Sequence, residues 1–203
     1  RSELEKYMIE KTCPSCGGKR LREEYLSVMI ENSSIDDVVN LPLDAFELFL
    51  ERIQKSSIKP VLKNIATPLV KKMKEKISAL KNVGLHYLSI SRRSDSISGG
   101  EGQRIRLATQ VGSELMGIAY VLDEPSIGLH NRDTEKLIGT IMRLRDLGNS
   151  IIVVEHDENI IRQADWIIDL GPGAGEDGGK VVFSGNFKQL LKSETLTAQY
   201  LTG

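Results

Sequence analysis

Two acidic side chains, Asp123 and Glu124, come directly after an apolar run that begins at Ile118. An apolar strand that ends in carboxylates would place them at the carboxyl edge of a parallel sheet, where such folds bind ligands. Asp123 is suited to hold Mg²⁺, and Glu124 to orient or deprotonate an attacking water. The alternative is structural, because acidic residues after a buried strand often cap the next helix.

A second apolar run, residues 151–154, leads into Glu155 and His156. A histidine just beyond a strand can contact a terminal phosphate and respond to its presence. The alternative is a structural histidine whose hydrogen bonds are satisfied locally. Its position one helix after the carboxylate strand favours the functional interpretation.

The segment from Ser98 to Gln103 contains Gly99, Gly100 and Gly102 and leads into a helical pattern. Ser98 and Glu101 have the spacing of a capping box, which is an ordinary helix start. Two glycines in the first helical turn nevertheless cost about 1 kcal/mol each relative to Ala. Bare N–H groups at the positive end of a helix, beside a hydroxyl, can bind a phosphate. The apolar face of this helix is predicted to carry Ile105, Ala108, Val111 and Leu115.

Cys13 and Cys16 are the two cysteines of the chain and are separated by Pro14 and Ser15. Two cysteines cannot form a disulfide framework, and this spacing is typical of a metal site. A structural zinc ion needs four ligands, so this pair would be half of a site. A redox motif is the weaker alternative, because no thioredoxin-like strand precedes the pair.

The elements that must position these residues divide at about Ser91. The part before Ser91 has a β-like run at residues 26–30 and helical patterns at 44–53 and 61–80. Pro68 is expected to kink or split the second helix, and Gly84 to end it. The lysines on this helix indicate a solvated face, with a DNA-binding patch as the alternative: they are Lys63, Lys71, Lys72, Lys74 and Lys76.

After Ser91, strand and helix patterns alternate. This alternation predicts an α/β fold in which a parallel sheet is covered by helices on both faces. The predicted elements are a strand at 118–123, a helix at 134–145, a strand at 151–155, a helix at 158–164, a strand at 166–170, a Gly-rich turn at 171–179, a strand at 180–184 and a helix at 187–191.

Composition sets broad limits on function. The chain has 203 residues, 40% of them hydrophobic, and a net charge of −1, which excludes a globally basic nucleic-acid-binding chain. No apolar run is long enough to span a bilayer, and no signal peptide is recognisable. We expect a cytoplasmic protein. Because the chain begins at Arg1 in a charged stretch, we also expect it to be a piece of a longer protein.

The order of these motifs resembles the ABC ATPase family. Four features match motifs of that family in the same order. The Ser-Gly-Gly-x-x-Gln helix matches the signature, and the apolar-Asp-Glu strand matches Walker B. The loop 126–130 matches the D-loop, and the strand ending in His156 matches the switch histidine. The resemblance narrows to the UvrA family, the ATPases of bacterial nucleotide excision repair, and extends over essentially all 203 residues. It is carried by residues 13–21, 97–108, 122–130 and 169–175.

The resemblance implies an ABC-type ATPase half-core with a helical signature subdomain and half of a zinc module. The expected bounds are 1–25 for the zinc part, 26–95 for the helical part and 96–203 for the signature helix and Walker B part. The implied site residues are Ser98, Gly99, Gly100 and Gln103 for the nucleotide, Asp123 for magnesium, Glu124 and His156 for catalysis, and Cys13 and Cys16 for zinc.

The resemblance further implies ATP, Mg²⁺ and Zn²⁺ as cofactors and damaged double-stranded DNA as a partner. It implies a UvrB-like partner subunit, a homodimer of the intact protein, and no membrane contact. Ile97 and Gly102 depart from the Leu and Ala that are usual in the family, and neither change removes a phosphate contact. In such chains a second ABC module supplies the other half of each ATP site.

No G-x-x-x-x-G-K-[ST] phosphate loop occurs in the sequence. We therefore expect this chain alone to bind ATP poorly. Two alternatives remain at this stage: a non-hydrolysing module that docks DNA or a partner, and a transporter-type ABC nucleotide-binding subunit. His130, where transporters usually carry Asp, and the Cys-x-x-Cys segment oppose the second alternative.

Overall fold

The structure, a computed structural model, describes residues 11–56, 60–111, 116–171, 173 and 178–202. Leu115, most of the Gly-rich turn and the first ten residues, which were predicted to open the zinc part, lie outside these ranges. The chain forms two compact units. The first unit extends to Ile77 and includes His86–Ser96; the second comprises Ser78–Leu85 and the residues from Ile97 onward.

The first unit is helical. A serine begins its second helix with a complete capping box, because the hydroxyl of Ser34 accepts from the Asp37 amide and the Asp37 carboxylate accepts from the Ser34 amide. Its elements are α1 (Glu23–Leu26), α2 (Ile35–Val39), α3 (Leu43–Lys55), α4 (Pro60–Lys81) and a 3₁₀ turn (Ser94–Ser96), and the end of α4 from Ser78 onward belongs to the second unit.

The core of this unit lies on the apolar face predicted for residues 44–53. Phe46, Phe49 and Leu50 on α3 are each at most 3% exposed. The predicted strand at 26–30 is wrong: Leu26 ends α1, and Ile30 makes an isolated bridge with Ser33 across a tight turn. Within the described residues this short run has no longer strand pairing, and so small a pairing is not stable by itself.

Helix α4 runs through Pro68 without being split. Of the apolar positions predicted along this helix, Ile77 is buried, whereas Val61, Ile65 and Leu69 are more than half exposed. Gly84 ends the helical segment as expected: it has φ +77°, and the amide of the next residue donates to the Leu80 carbonyl.

The second unit carries the alternating strand and helix pattern. Its elements are α5 (Gly99–Val111), β1 (Ala119–Asp123), α6 (Asn131–Asp146), β2 (Ser150–Val154), α7 (Glu158–Gln163), β3 (Ile167–Gly171), β4 (Lys180–Gly185), α8 (Phe187–Leu190) and α9 (Leu196–Thr202). The final helix α9 was not anticipated, because its Leu-Thr-Ala-Gln-Tyr-Leu-Thr sequence has only a weak apolar period.

Strands β1 and β2 pair in parallel, with Asp123 opposite Val154 at the carboxyl end. This confirms the parallel arrangement that the alternation predicted. The next predicted strand behaves differently, because β3 pairs antiparallel with β4 in a separate two-stranded sheet. Among the residues that the structure describes, helices do not cover both faces of this pair, since Val121 and Ile152 are 67% and 56% exposed.

The buried side chains of the second unit come mainly from its helices. Leu137 and Leu144 on α6 are at most 1% exposed, and Leu107 and Ala108 on α5 are 3% exposed. The buried face of α5 also contains Arg104, so it is turned relative to the predicted face, whose Ile105 and Val111 are only half-buried. A charged side chain on the buried face is unusual and calls for a specific partner.

Candidate functional site: the ends of two parallel strands

The two carboxylates predicted at a sheet edge lie at the carboxyl end of β1. The amide of Glu124 donates to the Val154 carbonyl at 2.8 Å, which extends the parallel ladder one residue beyond the strand. Glu124 then turns into the left-handed region, with φ +43°. Few non-glycine residues adopt this conformation, and strained residues of this kind cluster at functional sites.

Glu124 and His156 are brought together by the register of the strands. Glu124 Oε1 and His156 Nε2 are 3.7 Å apart, and their side chains are 47% and 83% exposed. The separation fits an ion pair when the imidazole is protonated, and both groups remain open to a ligand from solvent. The structure therefore places the two predicted catalytic side chains at one point.

Asp123 is exposed at the end of β1, beside the amide group of Gln103 from helix α5. In the orientation that satisfies both groups, the Gln103 amide nitrogen donates to the Asp123 carbonyl at 2.9 Å, and its oxygen accepts from the Asp123 amide at 2.7 Å. Gln103 thus binds the strand backbone here, and its predicted contact with a nucleotide stays a prediction. The carboxylate of Asp123 is left exposed for a cation.

The start of α5 is a complete capping box. The Ser98 amide donates to Glu101 Oε2 at 2.8 Å, and the Glu101 amide donates to Ser98 Oγ at 3.2 Å. Gly99 has space around it, since an added Cβ would meet nothing within 4 Å. Packing therefore does not explain this glycine, whereas close approach of a ligand would.

Gly100 is explained differently. A Cβ at Gly100 would lie 3.3 Å from Ile127 Cγ2, in the loop that follows β1. The absence of a side chain thus allows this loop to approach the helix start.

Sequence reasoning missed Arg104, which is 3% exposed. Its Nη1 donates to the carbonyls of Pro125 and Ile127 at 3.2 and 3.1 Å. Arg104 follows directly after the predicted Gln103, but nothing in the sequence distinguishes it from the exposed Arg106 two residues later. The helical period alone did not locate it, because the predicted apolar face excluded it.

Glu155 was also missed as a functional residue. Its Oε1 accepts from the Ser126 amide at 2.8 Å, and its Oε2 accepts from the amides of His156 and Asp157 at 2.9 and 3.2 Å. Partial burial raises the pKa of this carboxyl, but these hydrogen bonds, those to Ser126 foremost, outweigh burial and lower the pKa overall.

The cysteine pair lies in a tight turn of the first unit. The amide of Gly17 donates to the Cys13 carbonyl at 2.9 Å, and the amide of Lys19 donates to the Cys16 carbonyl at 2.9 Å. The backbone amide of Cys16, followed by that of Ser15, lowers the pKa of the Cys13 thiol. The two free thiols are accessible, and a lowered pKa favours the thiolate that binds metals.

A complete metal site is not assembled in the part of the chain that the structure describes. No group of three or more His, Cys, Asp or Glu side chains is placed there to hold an ion. The cysteine turn supplies two side chains that can ligate a metal. The described helices also include none that is long and apolar enough to cross a membrane.

Comparison with known proteins provides close relatives, although no protein-family model matches the chain. UvrABC system protein A of Clostridium perfringens is 48% identical over 204 residues, covering 100% of this chain and 21% of that protein. The same protein of Aquifex aeolicus is 52% identical, covering 100% and 22%. The crystal structure of UvrA2 from Deinococcus radiodurans superposes with a TM-score of 0.84 at 39% identity, covering 98% of this chain and 26% of that one.

The α/β arrangement, with the capped Ser-Gly-Gly helix and paired strands ending in Glu124 and His156, is part of an ABC-type ATPase core. The relatives define the class more narrowly. The chain belongs to the UvrA family, and it spans about a fifth of the length of the curated relatives it matches.

Proposed function

We propose that this chain contributes half of an ATP-hydrolysis site to an intact UvrA-type protein that acts in nucleotide excision repair. The observation that carries the proposal is the convergence of Glu124 and His156 at the ends of adjacent parallel strands. If Glu124 served only as a helix cap, its carboxylate would accept from backbone amides, as the carboxylate of Glu155 does. Instead, Glu124 faces an exposed imidazole and solvent.

Each residue has a separate task in this proposal. Glu124 orients the attacking water and accepts its proton. His156 contacts the terminal phosphate, which it can do as a hydrogen-bond donor. Asp123 would hold Mg²⁺, usually through water, and the ion would neutralise charge that develops on the phosphates.

The helix start is proposed to face a nucleotide held elsewhere. Ser98, Gly99 and Gly100 present a hydroxyl, open space and the positive end of α5. Gln103 follows on the same helix as the fourth proposed nucleotide contact. The chain has no phosphate loop, so the Lys and backbone cradle for the β- and γ-phosphates must come from outside it.

The wider role follows from the relatives. Their name, UvrABC system protein A, supports a place in excision repair. We propose that ATP-driven opening and closing of the intact protein serves recognition of damaged double-stranded DNA and loading of a UvrB-like subunit. We further propose a homodimer in the cytoplasm without membrane contact.

Glu124→Gln in the intact protein, with the other ATP site disabled, tests the proposal. The amide keeps the shape but cannot accept a proton, and general-base contributions are about 10²–10⁴-fold. Single-turnover hydrolysis should therefore fall at least tenfold, while equilibrium ATP binding survives because Asp123 and the phosphate contacts remain.

The matched control is Glu135→Gln, an exposed glutamate on α6 in the same unit. It should leave both measurements unchanged. Loss of binding and hydrolysis together in Glu124→Gln would show that the carboxylate is structural. Unchanged hydrolysis would show that Glu124 does not activate the water. No hydrolysis at this site in the unmodified protein would favour the non-hydrolysing docking module.

A second proposal concerns zinc. Cys13 and Cys16 would supply two of four ligands, and the lowered pKa of Cys13 supports it. Replacing both by Ser in the intact protein should reduce bound zinc by one equivalent without changing the ATPase core. Metal analysis measures this, and Ser15→Ala, which keeps both thiols, is the control. Unchanged zinc content would contradict the proposal.

A further inference from the structure

We propose that Arg104 and Glu155 are positioning residues that hold Glu124 in its reactive orientation by fixing the following loop, residues 125–129, from two sides. The inference rests on the proposed catalytic function of Glu124.

The conformation of Glu124 is the starting point. Its φ of +43° is disfavoured for a residue with a side chain, at a cost of about 1 kcal/mol or more. Such a conformation persists only where the surrounding structure enforces it. On the amino-terminal side, the bond from the Glu124 amide to the Val154 carbonyl fixes the backbone. The carboxyl-terminal side needs its own restraint.

Arg104 provides the first restraint. One nitrogen, Nη1, donates to the carbonyls of Pro125 and Ile127, which flank Ser126 in the loop. The loop is closed on itself by the bond from the Ile127 amide to the Glu124 carbonyl at 3.1 Å. Arg104 therefore fixes the turn that starts at Glu124.

Glu155 provides the second restraint. Its Oε1 binds the Ser126 amide, and its Oε2 binds the amide of His156. One carboxylate thus connects the loop after Glu124 with the backbone of the residue that Glu124 faces. The distance between the two proposed catalytic side chains depends on this connection.

The chemistry of Arg104 argues against a purely stabilising function. Burial of a guanidinium costs free energy that neutral carbonyls only partly offset, and an apolar side chain of similar size often stabilises such a site equally well. Within the described residues, Arg104 Nε is buried without a hydrogen-bond partner. A buried cation with incomplete pairing is better explained by the geometry that it imposes on the loop.

The restraint also links the loop to the helix start. Arg104 is on α5, one turn after Gly100, whose position allows Ile127 to approach. A displacement of α5 would therefore move Pro125 and Ile127, and with them the backbone of Glu124. In this arrangement, the position of the signature helix controls whether Glu124 is aligned for hydrolysis.

The experiment uses the intact protein with its other ATP site disabled, and compares Arg104→Met, Arg104→Lys and the control Arg106→Met. Arg106 is exposed on the same helix. Misplacement of a catalytic group by about 1 Å can cost about 10²-fold. Arg104→Met should therefore lower single-turnover hydrolysis tenfold or more, with the ATP dissociation constant changed less than twofold. Lys retains a donor and should restore part of the rate.

An unchanged rate of hydrolysis in Arg104→Met would overturn the proposal, as would equal losses of ATP binding and hydrolysis. It would also be overturned if Arg104→Lys hydrolysed ATP no faster than Arg104→Met. If Arg104→Met does not fold, Glu155→Gln replaces it with the same expected split, and an unchanged rate or equal losses of binding and hydrolysis in that variant would overturn the proposal. Glu124→Gln, measured in parallel, separates the two proposals. If Glu124→Gln retains hydrolysis, the proposed function fails. If Glu124→Gln loses hydrolysis but Arg104→Met retains it, only the positioning inference fails.

Discussion

The end of β1 and the end of β2 look equivalent in sequence and differ in the structure. Each apolar strand is followed by a glutamate, and the register places Glu124 and Glu155 one step beyond the paired residues Asp123 and Val154. The carboxylate of Glu155 accepts three backbone N–H groups, whereas that of Glu124 is 47% exposed and faces His156. A carboxylate that is saturated by backbone donors shapes the site, and one that is left open can act on a ligand.

The largest expected contrast between the two ends comes from Glu124→Gly in the intact protein. Glycine accepts φ +43° without strain, so the local free energy of opening should stay unchanged or rise by up to about 1 kcal/mol. Hydrolysis should nevertheless fall about 10²–10⁴-fold with the carboxylate removed. Single-turnover assays and hydrogen exchange of the loop peptide measure the two quantities. Faster exchange in the loop would mean that the Glu124 side chain itself holds it.

His156→Ala probes the exposed partner of Glu124. The side chain is 83% exposed, so its loss should change stability by no more than about 0.5 kcal/mol. Hydrolysis should fall about tenfold or more if the imidazole contacts the terminal phosphate. The thermal unfolding midpoint and single-turnover rate are compared, with Asn159→Ala, at an exposed position on α7, as the control. Equal rates in the two variants would remove the catalytic assignment of His156.

Glu155→Gln should act on the site through the structure of the loop, because the carboxylate binds backbone amides and not the ligand. The amide can serve Ser126, but its NH₂ group then faces the donors of His156 and Asp157, which costs about 1–3 kcal/mol of local opening free energy. Faster hydrogen exchange of the peptides that cover residues 126 and 156 would show this loss of local stability. Unchanged exchange would mean that the carboxylate does not shape the loop.

The effect of Glu155→Gln on hydrogen exchange should depend on pH. Because the pKa of Glu155 in the folded protein is lowered from its ordinary value of 4.5, its contribution to stability is complete above that value. The contribution is lost as the pH falls through the lowered pKa. The difference in exchange between wild type and Glu155→Gln should therefore be constant near neutral pH and shrink below 4.5.

Local sequence patterns predicted the features that depend on residues adjacent in the chain. The Ser98–Glu101 capping box, the helices on either side of β2 and the stop at Gly84 follow from local spacing, and the structure contains them. The alternation also predicted that β1 and β2 are parallel, which brought Glu124 and His156 to one edge. Short-range hydrogen bonding and periodicity are encoded in adjacent residues, so such features are readable without a fold.

Which groups are buried, and against which partners, became visible in the folded structure. It showed that Leu26 ends a helix, that β3 pairs antiparallel, and that Arg104 reaches carbonyls more than twenty residues away in the chain. It also separated Glu155 from Glu124, although both follow apolar strands. The physical reason is that pairing and desolvation depend on neighbours supplied by distant segments, and a sequence pattern shows the side chain but not the partner that satisfies it.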